Sequence, residues 1–365
     1  MNSEQRYILA LSFIKGLGDY RIKKLIQHFG SAENVWNLSK KDLLSATGIG
    51  PKLIQDIGNN NFLALADQEI DFCLKHQIDI LPFSVPNYPS LLKECEDAPV
   101  ILFTKGTIDF ESRTKIAIVG TRKMTAYGRM FIDELIDGLK EFNVTIVSGL
   151  AYGCDIHAQM LALNYKMETW AVLAHHLNHL YPPKHKYFAD QMLEKGGWIS
   201  EQASINGVHP QYFLQRNRII AGLSHAVILV ESNSHGGSLV TAKFANDYNR
   251  DVFALPGRSN DPMSKGCNYL IKSHQAYLLE NANDLLYHFN LKQHTQQSNQ
   301  IELFQDLTDE EAKIVEYLAQ NGKVHVDALS LYLNCFTYEL MPILLDLELK
   351  NCIKPLPGKY FEVIR

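Results

Sequence analysis

Phe213-Leu-Gln-Arg-Asn-Arg-Ile-Ile-Ala-Gly-Leu-Ser224 precedes the apolar run Ala226-Val-Ile-Leu-Val230, and Glu231-Ser-Asn-Ser-His-Gly-Gly-Ser-Leu-Val-Thr-Ala-Lys-Phe-Ala245 follows it. The order is helix, buried strand, glycine loop, helix. The loop leaves its strand at Gly236-Gly237 and enters a helix whose first turn carries Ser238 and Thr241. Unpaired N–H groups and the positive dipole end make such a helix start suited to a phosphate. Whether that phosphate belongs to a small nucleotide or to a polymer is the functional question.

Working outward, apolar runs alternate with amphipathic helices from Lys115 on. Strands are expected at Ile116–Val119, Val144–Val147, Thr169–Ala174, Trp198–Glu201, Ala226–Val230 and Val252–Leu255. Helices are expected at Gly128–Phe142, Asp155–Asn164, Tyr187–Lys195, Arg216–Leu223 and Ser238–Tyr248. Short, near-continuous apolar strands joined by helices indicate an α/β core, a Rossmann-like parallel sheet covered on both faces. Upstream, Pro86, Pro89 and Pro99 are expected to keep Tyr88–Gly106 irregular.

The first segment repeats a pattern. Gly16-Leu17-Gly18 and Gly48-Ile49-Gly50 each open a helix bearing basic residues, which indicates a helix-hairpin-helix (SAM-like) domain. At the other end, Thr308 or Asp309 can cap a helix, Val326–Leu333 and Phe336–Lys350 read as two more, and Ile353–Val363 reads as a hairpin turning at Pro357-Gly358. Three helices and a hairpin make a winged helix. The expected domains are therefore 1–82 helical, 83–290 Rossmann-like, 291–304 a glutamine-rich linker and 305–365 winged helix.

Composition excludes several classes. Of 365 residues, 46% are hydrophobic and 21% charged, as in a folded chain. No apolar run is long enough to span a bilayer, and the N-terminus lacks the marks of a signal peptide, so a cytoplasmic protein is expected. The six cysteines form no Cys-x-x-Cys pair, which argues against a thiolate metal site. Net charge is −5, with residues 1–82 neutral, 83–304 at −1 and 305–365 at −4. A nucleic-acid site must then be a local cluster of cations.

Three loops leave expected strand ends: Gly120-Thr121-Arg122-Lys123, Ser148-Gly149-Leu150-Ala151-Tyr152-Gly153, and Ser234-His235-Gly236-Gly237-Ser238. Ligands of open parallel sheets bind at such ends. None of the loops is a Gly-x-Gly-x-x-Gly fingerprint or a P-loop. Arg122 suits either a forked grip on phosphate or a surface pair with a carboxylate. Arg216 and Arg218 open a helix, where the dipole disfavours cations, which suggests a nearby anion. Phe213 can stack a base or fill a core. Asp155 reads as a helix cap, and Glu201 and Glu231 as acids that bind loop backbone. His175, His176 and His179 lack further ligands at metal spacing and read as loop packing.

Val119-Gly120-Thr121-Arg122, Thr125-Ala126-Tyr127-Gly128, Ser148-Gly149-Leu150-Ala151, Arg216–Ser224, Gly237–Ala242, Pro256-Gly257 and Gly266–Ile271 closely resemble, in order, the DNA-processing protein A (DprA/Smf) family. The winged helix is then the family's DML1-like domain. The resemblance implies a bacterial cytoplasmic homodimer that binds and protects single-stranded DNA without strong sequence preference. It implies that the strand, coated by single-strand-binding protein, is handed to the RecA recombinase in natural transformation and recombination. It implies no catalysis, cofactor or metal. Carried over by motif, Arg122 holds phosphate, the loop Gly236–Ser238 and Lys243 line the groove, and Phe213, Arg216 and Asn217 form a pocket beside it. The single-strand contacts expected overall are Gly120, Thr121, Arg122, Lys123, Gly149, Phe213, Arg216, Asn217, Arg218, Gly236, Gly237, Ser238, Thr241 and Lys243. The chain departs from the family pattern at Tyr152, His176, Asn178, Leu214 and His185.

Two rival readings are weaker. LOG-like nucleotide phosphoribohydrolases share the Rossmann variant, but the glutamate of their Gly-Gly-x-Gly-Thr-x-x-Glu motif falls on Lys243, where a cation opposes charge developing on a sugar. A duplex-reading regulator needs cations on its recognition helix, and Phe336–Lys350 carries Glu339, Asp346 and Glu348 against one lysine.

Overall fold

The computed structural model describes residues 3–47, 50–291, 308–350 and 352–363. The chain forms two compact units, divided between His294 and Thr295. The stretch read as a linker lies outside the described residues from 292 on, as does Gly48-Ile49 of the second hairpin.

The first unit is built on nine strands: β1 Asp79–Pro82, β2 Ile101–Thr107, β3 Thr114–Val119, β4 Val144–Ser148, β5 Glu168–Val172, β6 Gly196–Ser200, β7 Ala226–Leu229, β8 Asp251–Ala254 and β9 Tyr277–Leu278. Their spatial order is β1-β2-β6-β5-β4-β3-β7-β8-β9. β3 to β9 are mutually parallel, with Ile116 opposite Ile146 on one side and Ala226 on the other. The α/β core read from the apolar runs is therefore present. It has an antiparallel margin as well, because β1 and β2 run antiparallel to their neighbours. The prolines that were expected to keep Tyr88–Gly106 irregular all precede Val100, which leaves the apolar Ile101-Leu102-Phe103 free to pair.

Strand periodicity divides the core. Ile116 and Ile118 of β3 pack with Phe131, Ile132 and Leu135 of the helix Ala126–Leu139. Ala117 and Val119 turn to the other face, against Ile219, Ile220, Ala242 and Ala245. Alternate residues on opposite faces both reach apolar partners, so β4 and β7 are buried along their whole length. The strand order reverses between β3 and β7, which fixes the place where the chains leaving the two strand ends diverge and open a crevice.

The N-terminal helices, Ser3–Ser12, Gly18–Phe29, Ala32–Asn37, Lys40–Thr47, Pro51–Asp56 and Asn60–Lys75, belong to the same unit. Gly16 and Gly18 have φ of +89° and +66°, a turn that residues with a Cβ rarely make. Asp19, next in the chain, accepts a hydrogen bond from the Val100 amide at 3.0 Å and lies 3.8 Å from Arg218. Arg218 also pairs with Glu201 and lies 4.0 Å from Asp97. Glu69, 2% exposed, accepts from the Ser204 amide at 2.8 Å. The helical segment is thus fastened to the sheet through Asp19 on Val100 and Arg218 and through Glu69 on Ser204, with the Arg218–Glu201 pair mostly buried.

The second unit contains helices Asp309–Asn321, Val326–Leu333 and Thr337–Leu349 and a three-stranded sheet of Val324–His325, Tyr360–Val363 and Ile353–Leu356. Thr308 and Glu311 form a reciprocal capping box at the first helix, and Ile314, Leu340, Leu344, Ile353 and Phe361 fill the core. This is the winged helix expected from the sequence. Among the described residues, no single helix is long and apolar enough to cross a membrane.

Removing one partner of a buried ion pair leaves an uncompensated charge, at a cost of about 3–5 kcal/mol. Arg218→Ala strands Glu201 in this way. Urea unfolding of the variant is expected to show a loss of that order, and a loss under about 1 kcal/mol would mean that the network does not fasten the helices.

Candidate nucleic-acid interface

A cavity of about 270 Å³ lies at the β3/β7 reversal. Its walls come from the three loops singled out in the sequence, and each is held by a specific contact. The loop after β3 is tied to the end of β7, where the Thr121 amide donates to the Glu231 carbonyl at 2.8 Å. The Glu231 side chain, 1% exposed, accepts from the Thr125 amide at 2.8 Å and from its hydroxyl. Glu231 therefore binds loop backbone, as expected, and is spent before it reaches the cavity.

The loop after β4 crosses close to the first. A Cβ on Gly153, at φ +81°, would overlap the backbone of Thr121 and Arg122. Asp155 lies below that crossing. It does not cap its helix, which begins at Cys154 with no side-chain cap. Its carboxylate instead accepts from the Gly149 amide at 3.1 Å. Burial pushes the Asp155 carboxyl up, and the charge of Arg216 pulls it back.

Arg216 has a structural task that the sequence did not disclose. It is 5% exposed, and its Nη1 donates to the Gly149 carbonyl at 2.8 Å and to the Val172 carbonyl. Burial holds its pKa at about 10, so it stays charged at neutral pH. The guanidinium clamps the ends of β4 and β5 through Nη1 and also lines the cavity, and among the described residues its Nη2 has no acceptor. Gly149 is correspondingly a packing glycine, since a Cβ there would overlap the guanidinium. Arg218 does not line the cavity. Its side chain turns to Glu201 and Asp19, because residues two apart on a helix face different ways.

The loop after β7 forms the rim. The Asn233 Oδ1 accepts from the His235 amide at 2.9 Å, and Asn217 Nδ2 donates to the Gly237 carbonyl at 3.3 Å. Among the described residues, the amides of Arg122, Gly237 and Ser238 have no acceptor within the chain. The Arg122 side chain is exposed, lines the cavity, and has no carboxylate within salt-bridge distance among the described residues. Of its two readings, pairing to an acid is thereby removed. Gly120, Thr121, Phe213, Arg216, Asn217, Gly236, Gly237, Ser238 and Thr241 also line the cavity. Phe213 is half-buried, edge-on to Tyr181 with ring centroids 5.8 Å apart. Lys123 and Lys243 are exposed and lie outside the lining.

The structure adds Ala151, Leu214, Ser232 and Asn233 to the lining. Ser232 and Asn233 directly follow Glu231, and their position between a strand end and the Gly-Gly pair was the available signal. The histidines pack in their loop. His175 Nε2 accepts from the Tyr181 amide at 3.2 Å, which leaves the proton on Nδ1, facing the His176 carbonyl at 3.0 Å. Burial lowers the His175 pKa and favours that neutral form.

The fold defines a class: a Rossmann-type α/β protein with a C-terminal winged helix and a glycine-loop cavity at its strand ends. Comparison narrows it. Residues 79–290 match the family described as DNA recombination-mediator protein A, and residues 304–359 match the DprA winged helix domain. The chain is 38% identical over 278 residues to protein Smf of Synechocystis sp., covering 74% of this chain and 69% of that one. It is 40% identical over 202 residues to the DNA processing protein DprA of Streptococcus pneumoniae, covering 55% of this chain and 71% of the relative. The X-ray structure of the S. pneumoniae DprA superposes with a TM-score of 0.68 at 32% identity, over 79% of this chain and 98% of that one. A Helicobacter pylori DprA, studied for its single-stranded DNA binding mode, superposes with a TM-score of 0.53 at 29% identity, over 59% and 96%. The chain belongs to the DNA recombination-mediator protein A (DprA/Smf) family.

Two glycines separate packing from binding. Overpacking typically costs about 1–3 kcal/mol, so Gly149→Ala is expected to destabilise the protein by that amount. At Gly237 the nearest atom to a Cβ is Leu214 Cδ2 at 3.9 Å, so Gly237→Ala is expected to stay within about 0.5 kcal/mol of the parent. Thermal melts of the pair test this assignment, and equal losses would contradict it.

Proposed function

We propose that the crevice between β3 and β7 binds single-stranded DNA through its phosphates, with little sequence preference. The observation that carries this reading is the rim itself: three unpaired amides and the unpaired Arg122 around one cavity, charge and donors that suit an anion. Phe213 offers an apolar ring at the edge for a base. Lys123 and Lys243, exposed beyond the lining, suit a polyanion that runs past the cavity more than a ligand enclosed in it.

The hydrolase reading is disfavoured on chemical grounds. Asp155 is the one carboxylate among the lining residues, and it is engaged by the Gly149 amide and buried beside Arg216. A sugar cleavage needs an acid poised at the reacting carbon. We therefore infer a binding protein without catalysis. Protection of the strand, loading of RecA onto it, exchange with single-strand-binding protein, homodimerisation and a cytoplasmic location complete the proposal and rest on family membership.

Each phosphate contact to a single strand contributes about −0.7 to the slope of log affinity against log salt. Arg122→Ala is expected to lower affinity for oligothymidylate several-fold and to reduce that slope by about 0.7, with the melting temperature unchanged. Lys243→Glu is expected to act in the same direction. Fluorescence anisotropy across a salt series reads both quantities. Unchanged affinity and slope in folded Arg122→Ala would refute the site. Release of free base from a nucleoside monophosphate by the parent protein would restore the hydrolase.

A further inference from the structure

The polar groups left free in the glycine-loop cavity are of one kind. Its side-chain acceptors are engaged. Thr121 Oγ1 accepts from the Lys123 amide at 3.1 Å, Asn233 Oδ1 from the His235 amide at 2.9 Å, Asn217 Oδ1 from Arg216 Nε at 3.2 Å, and Ser232 Oγ from the Ser238 hydroxyl at 3.2 Å. Asp155 is held by the charge of Arg216 and by the Gly149 and Ala151 amides. What remains is a set of donors without a partner among the described residues: the amides of Arg122, Gly237 and Ser238, the Arg122 guanidinium, Arg216 Nη2 and the Thr241 hydroxyl. Two of them belong to buried side chains, since Arg216 is 5% exposed and Thr241 1%. Buried donors without acceptors are costly, so two at one cavity point to a ligand that accepts.

Three considerations select the ligand. A nucleobase carries donors as well as acceptors on its edge and would set donor against donor here, whereas a phosphate accepts at every free oxygen. Charge comes second. Arg122, Arg216 and the positive end of the helix Ser238–Asp247, set against Asp155, leave about +1.5 charges. A phosphodiester carries a single negative charge, while a phosphate monoester carries about −1.5 to −2 at neutral pH. Access comes third. A phosphate inside a strand has two ester arms, and both must leave by the opening if it is to reach donors as deep as Thr241. A terminal phosphate has one arm. At the 5′ end that arm is a slender methylene, and at the 3′ end it is the sugar ring itself.

We propose that the cavity seats the 5′-phosphate at the end of a single strand. The monoester takes the Gly237 and Ser238 amides, Arg216 Nη2 and the Thr241 hydroxyl, and the exposed Arg122 closes over it. The inference rests on the crevice binding single-stranded DNA, and it gives the bound strand a direction. Phe213, half-buried at the edge, meets the first base, and the exposed Lys123 and Lys243 meet phosphates that follow. A strand held in this way is marked at its terminus. Strands without the phosphate still bind through the contacts beyond the cavity, only more weakly.

The probe is decathymidylate with a 5′-phosphate and a 3′-fluorescein, bound to the full-length protein and displaced by unlabelled competitors while anisotropy is followed. Decathymidylate with a 5′-phosphate is expected to compete about tenfold better than its 5′-hydroxyl form, the scale of one charge-assisted hydrogen bond. Moving the phosphate to the 3′ end is expected to abolish that gain. Thymidine 5′-monophosphate is expected to compete where thymidine does not, and far more weakly than the decamer. Thr241→Val and Arg122→Ala are each expected to narrow the ratio between the 5′-phosphate and 5′-hydroxyl forms. Equal competition by those two forms, or an equal gain from a 3′-phosphate, overturns the proposal and leaves strand binding by the crevice intact. A ratio unchanged in both folded variants places the phosphate elsewhere and overturns it as well. A monophosphate that competes as well as the decamer overturns the strand end and assigns the cavity to free nucleotides. Arg122→Ala with unaltered affinity for every form refutes the strand-binding crevice itself. The competitor series on the parent protein stands without either variant.

Discussion

A guanidinium buried under the crevice sets its shape. Arg216 takes the carbonyls of Gly149 and Val172, from the ends of two neighbouring strands, and faces a carboxylate that in turn holds the Gly149 amide. A charge so far from water needs acceptors and a balancing charge, and Nη1 and Asp155 meet these needs with groups that would otherwise be loose loop ends. The amides and side chains above it can then be aimed at a ligand. Glu231 does the equivalent work on the β7 side by gripping Thr125. Buried ionic groups thus brace the strand ends, and the rim carries an exposed cation and free amides.

Neighbouring residues on one short helix have been assigned to different tasks. Arg216 locks the strand ends, Asn217 supports the glycine loop, and Arg218 fastens the helical segment through Glu201 and Asp19. Helical geometry sends their side chains in different directions. Movement of the helical segment would therefore be felt two residues from the cavity.

Most of the fold was legible in the sequence because buried parallel strands leave an unmistakable trace of continuous apolar runs. β2 was missed because three prolines stand before it and drew attention from the apolar residues that follow. The cavity was legible as three loops at strand ends. Its chemistry was only half legible: arginines in one motif look alike, and burial alone separates the clamp from the hand. Asp155 shows the same limit. An acid at a helix start reads as a cap, but the cap position is occupied by Gly153, whose tight approach to the Thr121 backbone turns the helix so that Asp155 points at Gly149.

The sequence by itself determined the periodicities, the glycine positions and the charge inventory. From these came the Rossmann-like sheet, the flanking helical and winged-helix segments, and the loops, Gly236-Gly237 among them, that wall the cavity. Tertiary structure decided which cations face water and which face carbonyls, since that depends on the direction of each side chain from its helix and on how much solvent remains around it. Arg122 and Arg216 differ in nothing that composition or spacing records. One lies on an open loop and the other under two strand ends, and the dielectric around each sets its role.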